Sequence, residues 1–170
     1  MKTITVRRLE PSLAKKLKQV ANKEGKSVNQ LVIDTIKQYL GMKKVLIDTN
    51  IYSLAMRGDP ETISILQRAH EIALCSINIG ELLSGFKGGS REQENREELE
   101  EFLDAPRVVV YAIDENTAEF YAAILNDLRK KGTPIPTNDI WIASVAFQHG
   151  LKLFSKDQHF RNISGLILLP

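Results

Sequence analysis

Polar and apolar residues alternate along Thr3-Ile4-Thr5-Val6-Arg7, which in a strand puts Ile4 and Val6 on one face and Thr3, Thr5 and Arg7 on the other. The period then lengthens. Pro11 stands where a helix can begin without losing a needed N–H, and Leu13, Leu17, Val20 and Ala21 follow at helical spacing until Gly25. Ser27 can cap a second helix, whose apolar stripe of Val28, Leu31, Val32, Ile36, Tyr39 and Leu40 stops at Gly41. Residues 1–41 therefore read as strand, helix, helix. A segment this short cannot bury enough apolar surface alone, and a single strand leaves both edges unpaired, so the pattern predicts dimerisation.

A different pattern begins at Met42. Short apolar runs at 43–48, 72–77, 107–113, 151–157 and 166–169 alternate with helical segments. One helix begins at Thr49-Asn50, a polar one covers 60–69, one follows the second run, and a strongly charged one covers 91–104. The helix at 117–131 directs Ala118, Tyr121, Ala122, Leu125 and Leu128 towards a core, and an almost wholly apolar helix follows Pro134-Ile135-Pro136. This alternation predicts an α/β fold with a central parallel sheet covered on both faces.

Four acids occupy the joints of that pattern. Asp48 ends the first strand, Glu81 lies in the opening turns of the helix after the second, Asp139 starts the apolar helix, and Asp157 follows the fourth strand. Alone, each reads as a helix cap or a solvated loop acid. Converged, they present a problem, because two carboxylates ~4 Å apart repel by about 4 kcal/mol at an effective dielectric of ~20. No Lys or Arg closely flanks Asp48, Glu81 or Asp139 in sequence, although Lys156 neighbours Asp157. An all-oxygen cluster of this kind favours Mg²⁺ or Mn²⁺ over zinc. It could orient a water, lower its pKa and stabilise charge on a phosphodiester oxygen without any nucleophilic side chain.

Charge separates the two parts. Residues 1–41 hold nine Lys/Arg against three acids, a net +6, whereas 42–170 hold fourteen against eighteen, a net −4. A basic front piece suits phosphate backbones without specifying a sequence. The composition, 43% hydrophobic and 26% charged, is that of an ordinary soluble domain. Neither a membrane-length apolar run nor a secretory leader is visible, so no membrane partner and a cytoplasmic location are expected. Cys75, the sole cysteine, rules out an internal disulfide or a Cys-rich zinc site and reads as a small core residue. His70, His149 and His159 lack metal-ligand spacing; His159, beside Asp157, reads as a structural or supporting donor rather than a ligand.

The front segment, VRRLEPSLAKKLKQVANKEGKSVNQLVIDTIKQYL, resembles the ribbon-helix-helix family of Arc, MetJ and CopG repressors and related antitoxins. The resemblance implies paired strands entering a DNA major groove. Thr3, Thr5 and Arg7 would then face base edges, with a phosphate held at Lys26, Ser27 and Asn29. The remainder is similar to PIN-domain nucleases, especially VapC-type toxins, through LIDTNIYSL, SINIGELLSG, IPTNDIWIASVA and LFSKDQHF. That resemblance implies a three-layer α/β/α fold over 42–170 and a Mg²⁺- or Mn²⁺-dependent endoribonuclease. Asp48, Glu81, Asp139 and Asp157 would serve as catalytic metal ligands, supported by Thr49, Asn50, Asn138 and Ser155. The implied partners are RNA as substrate, DNA through residues 1–41, a second copy forming a homodimer or higher even oligomer, and a separate antitoxin. Antitoxins of such pairs normally continue into a tail that plugs the toxin, whereas here Gly41 runs straight into the first nuclease strand. The alternative reading is a sequence-specific DNA-binding autorepressor whose acidic domain serves assembly.

Overall fold

Five short apolar strands pair side by side, all parallel, in the computed structural model, which describes residues 9–39 and 44–169. They are β1 (Lys44–Ile47), β2 (Glu71–Cys75), β3 (Val108–Tyr111), β4 (Lys152–Phe154) and β5 (Leu168–Leu169), in the spatial order β3-β2-β1-β4-β5. Strand periodicity sends Leu46, Ala73, Cys75 and Leu153 to one face of the sheet and Val45, Ile47, Ile72, Leu74 and Phe154 to the other. Two cores result. Helices α7 (Glu115–Lys131) and α8 (Thr137–His149) cover the first face. The second is covered by α3 (Thr49–Met56), α4 (Pro60–Arg68), α5 (Ser76–Lys87) and α6 (Glu92–Leu103). This is the expected three-layer arrangement.

Connectivity decides where a site can form. The chain runs outward from β1 to β2 and β3, then returns through α7 and α8 to place β4 on the other side of β1. The carboxyl ends of β1 and β4 thus flank the point where strand order reverses, the usual ligand crevice of an open α/β sheet. Asp48 directly follows β1, and Ser155 directly follows β4.

Two sequence expectations are corrected. Along α7 the buried side chains are Thr117, Ile124 and Leu128, with Tyr121 and Leu125 partly buried, while Ala118 and Ala122 are exposed. Each alanine lies one residue past a position on the buried stripe, about 100° around the helix, and so faces away. The sheet is also not covered throughout. β3 is an edge strand, paired only with β2, and it leaves Val109 and Val110 exposed.

The chain divides into two units, at Met42 and Lys43. In the first, α1 (Pro11–Lys23) and α2 (Val28–Tyr39) are joined by a turn in which Gly25 adopts φ +64°, a conformation that costs glycine nothing. Ser27 Oγ accepts the amide of Gln30 at 3.1 Å and so caps α2. Ala21 and Leu31 are buried; Leu9, Leu13, Val20, Ile33 and Ile36 remain exposed. The expected strand with Thr3, Thr5 and Arg7 lies outside the described residues, as do Leu40 and Gly41. No helix among the described residues is long and apolar enough to cross a membrane.

Leu46, fully buried at the centre of the sheet, has no route to relax if shortened. Leu46→Ala is expected to lower unfolding free energy by about 2–5 kcal/mol, measured as a reduced urea midpoint at unchanged slope.

Candidate functional site

Every strand–helix joint at the carboxyl edge near β1 contributes a polar group. Asp48 terminates β1 and caps α3, its Oδ1 accepting the amide of Ile51 at 2.8 Å while Oδ2 accepts the Ser155 hydroxyl. Ser155 Oγ in turn accepts the amide of Asp157 at 2.9 Å, so one serine ties the ends of β1 and β4 together. Asp157 caps the short 3₁₀ turn Gln158–Asn162 by accepting the amide of His159, also at 2.9 Å.

Glu81 reaches the same region from α5. Its Oε2 accepts the Thr49 hydroxyl, and its Oε1 accepts Asn138 Nδ2 at 2.6 Å. Asn78 stands behind Thr49: it is fully buried, accepts the Cys75 amide at 2.8 Å, and points Nδ2 at Thr49 Oγ1 from 3.5 Å. Asn78 was not singled out from sequence, although its place two residues after a strand-ending Cys-Ser pair, at a capping position, carried a signal. Cys75 is fully buried against this asparagine, and burial pushes its thiol above the usual range, which fits a packing residue rather than a nucleophile.

Asp139, on the first turn of α8, lies between the groups. Its carboxyl is pushed above the ordinary range first by burial, then by repulsion from Asp157 and, more weakly, from Glu81. Asp48 is likewise raised by burial, with Asp157 adding to the shift against the hydrogen bonds from Ser155 and Ile51. The structure therefore brings all four acids into one electrostatic neighbourhood. Thr49, Asn138 and Ser155 hydrogen-bond within it. Asn50 is exposed, and its backbone amide rather than its side chain addresses Asp48.

Positive charge is scarce here. Lys156, adjacent to Asp157 in sequence, instead places its ammonium 3.2 Å from Glu61 and 3.7 Å from Asp59. Among the described residues no Lys or Arg pairs with any of the four acids; the sole cationic candidate is His159. Its Nδ1 lies 3.2 Å from Asp139 Oδ2 and 3.1 Å from Asp157 Oδ1. Together with those two oxygens it forms a group whose atoms all lie within 4.8 Å of one another, compact enough to hold a metal ion. The imidazole thus stands closer to the chemistry than its spacing suggested. The His159 contact is close but not aligned as a hydrogen bond, so the buried Asp139 Oδ2 has no hydrogen-bond partner among the described residues. A hard divalent cation fits such a carboxylate oxygen amid acids with no Lys or Arg counterpart among those residues.

In the front unit, Lys26 is drawn to Asp34 at 3.1 Å and Glu24 at 3.2 Å. A phosphate at the start of α2 would have to recruit it from them.

Comparison with known proteins bears on both units. A family model described as "PIN domain" matches residues 45–166, and one described as "HicB family" matches residues 2–36. The chain is 27% identical over 123 residues to Ribonuclease VapC4 of Mycobacterium tuberculosis, covering 71% of this chain and 92% of that protein. It is 31% identical over 128 residues to Ribonuclease VapC2 of Haemophilus influenzae, covering 74% of this chain and 96% of that one. Among solved structures, VapBC2 of Rickettsia felis bound to a DNA fragment from its promoter superposes with a TM-score of 0.68 at 26% identity. That match spans 74% of this chain and 96% of that one.

The raised carboxyl of Asp139 has a consequence for stability. Because the folded form binds this proton more tightly than the unfolded chain, stability falls as pH rises from the ordinary carboxylate value of 3.8 through the raised folded value. Asp139→Asn is expected to raise the thermal midpoint in chelator at neutral pH and to lose that advantage under strongly acidic conditions. Adding Mn²⁺ should then raise the midpoint of the wild type more than that of the variant, as differential scanning fluorimetry would show.

Proposed function

The chain belongs to the PIN-domain family, and from that premise we propose that residues 42–170 are a metal-dependent endoribonuclease of the toxin type. The observation that supports this reading is the gathering of Asp48, Glu81, Asp139 and Asp157 at the switch point of the sheet with no Lys or Arg counter-charge among the described residues. The ribonuclease names of its relatives supply the substrate class.

These four carboxylates would hold Mg²⁺ or Mn²⁺, which when bound supplies charge stabilisation at the phosphodiester and acidifies a water for attack. The chain's own contribution is geometric. Ser155 and the Ile51 amide fix both oxygens of Asp48, while Thr49 and Asn138 fix both oxygens of Glu81. Held in this way, the acids need little reorganisation when a phosphate arrives. His159, whose Nδ1 lies 3.1 Å from Asp157 Oδ1 and 3.2 Å from Asp139 Oδ2, would orient these two carboxylates at the same edge. No covalent intermediate on the protein is required.

The front segment we assign to dimerisation and DNA binding. The exposed apolar residues Leu9, Leu13, Val20, Ile33 and Ile36 of an otherwise basic helix pair favour a second copy as their cover. Several solved relatives are complexes described as DNA-bound, which favours an operator as the target. Thr3, Thr5 and Arg7 would read bases, and Lys26, Ser27 and Asn29 would hold the backbone. A separate antitoxin remains the candidate restraint on the nuclease.

Asp48→Asn preserves the cap of α3 and is expected to reduce Mg²⁺-dependent RNA cleavage by more than about 100-fold, the upper range for losing a supporting partner, with the thermal midpoint unchanged or raised. Full activity in the variant, or cleavage by the wild type in chelator, would reject the assignment. For the front segment, Arg7→Ala is expected to abolish selective binding to DNA taken from upstream of the chain's own coding sequence. Equal affinity of both proteins for it, measured by fluorescence anisotropy, contradicts the DNA-reading role.

A further inference from the structure

Among the described residues, two open clefts border the acid cluster. The first, of about 640 Å³, starts at Thr49 and Glu81 and is walled by Tyr52, Met56 and Phe86, with Arg57 lining it. The second, of about 410 Å³, starts at Ser155 and Asp157 and is lined by Arg161 and the end of β5. Each cleft thus opens from a different pair of site residues, Glu81 on one side and Asp157 on the other.

Most cations of this unit are already committed. Lys44 pairs with Glu71, Arg96 with Glu92, Lys131 with Asp127 and Lys156 with Glu61, and Arg107 donates to backbone carbonyls. Arg91, at the first cleft, is taken by Glu94. Arg57 and Arg161 are exposed, and their guanidinium groups engage no acid or hydrogen-bond acceptor among the described residues. The nuclease part is net negative, so an RNA strand gains nothing from its overall field and needs discrete cations to approach four carboxylates. A guanidinium without a partner is suited to a phosphate, which it can engage with two parallel N–H donors.

We propose that the two clefts form one continuous single-strand track across the acids, with Arg57 holding a backbone phosphate on the Glu81 side and Arg161 one on the Asp157 side. The proposal rests on the ribonuclease reading and deepens it. A track open at both ends accepts the middle of a chain, which accounts for internal scission in place of end trimming. Arg57 and Arg161 are positioning residues: they touch the substrate away from the scissile bond and set its affinity rather than the rate of the chemical step. Glu98, also on the first cleft, opposes an anion there and limits that side to a single phosphate contact.

The test is binding of a labelled single-stranded RNA to the full-length Asp48→Asn chain, compared with the same chain carrying Arg57→Ala or Arg161→Ala, over a range of salt. The front segment is common to all three and cancels. Each arginine is expected to contribute about tenfold in affinity, and its loss to make the log–log salt slope shallower by about 0.7, the value for one phosphate on a single strand. Arg57→Lys should restore most of the slope and only part of the affinity. In cleavage assays with Asp48 intact, KM should rise with kcat nearly unchanged. Unchanged slope and affinity in both variants overturn the track, as they would if the first cleft served a protein segment instead. A change in only one variant overturns its two-sided form. Should the wild type bind RNA with this dependence and fail to cleave it, the nuclease reading falls and the track stands.

Discussion

The burial of carboxylates beside one another is the constraint around which the PIN unit is organised. Burial first raises Asp48 and Asp139; repulsion from Asp157 then adds to both, and that from Glu81 more weakly to Asp139. A fold selected for stability alone would place a lysine there, and one is available. Lys156 is covalently next to the cluster yet turns to Asp59 and Glu61. The repulsion is left to hydrogen-bond donors and His159, and it is for the rest of it that we propose a cation from solution.

The sheet makes this arrangement tolerable. Three of the four acids sit at strand ends or the first turn of a helix, where backbone amides are free to point at carboxylate oxygens. The hydrophobic cores on the two faces hold those ends in register: Leu46 and Ile47 immediately before Asp48, and Leu153 and Phe154 before Ser155, are all fully buried. Strain at the carboxyl edge is thus balanced by packing a few ångströms away. The same edge is open to both sides through its two clefts, so the site that repels its own charges is also the one a polyanion can cross.

Much of this was legible in the residues, and the exceptions have physical causes. Strand-then-acid junctions are local, so Asp48 and Asp157 could be placed at strand ends from hydrophobic periodicity alone. Their convergence is not local. It follows from the β3-β2-β1-β4-β5 order, which no short pattern encodes. His159 was read as a structural or supporting donor beside Asp157, but its reach to Asp139 was not legible, because the 3₁₀ turn that swings its Nδ1 there is too short to leave a periodic trace. Sequence adjacency left the partner of Lys156 open, since a side chain that long answers to distant acids, here Asp59 and Glu61, as readily as to its neighbour. Ala118 and Ala122 were assigned to the core for being apolar, but a methyl group adds too little buried area to turn a helix whose stripe is set by Ile124 and Leu128. In the front segment, the turn at Gly25 and the Ser27 cap follow their signals, because both are one-residue chemistries.

The counter-charge we propose for the four acids is a divalent ion. Crystals soaked in Mn²⁺ and measured at the manganese edge address this directly. The anomalous peak should lie among the carboxylates of Asp48, Glu81, Asp139 and Asp157, in contact with Asp139 Oδ2, which has no hydrogen-bond partner among the described residues. A peak only elsewhere, with that oxygen left to the His159 contact or to a reoriented lysine, would contradict it.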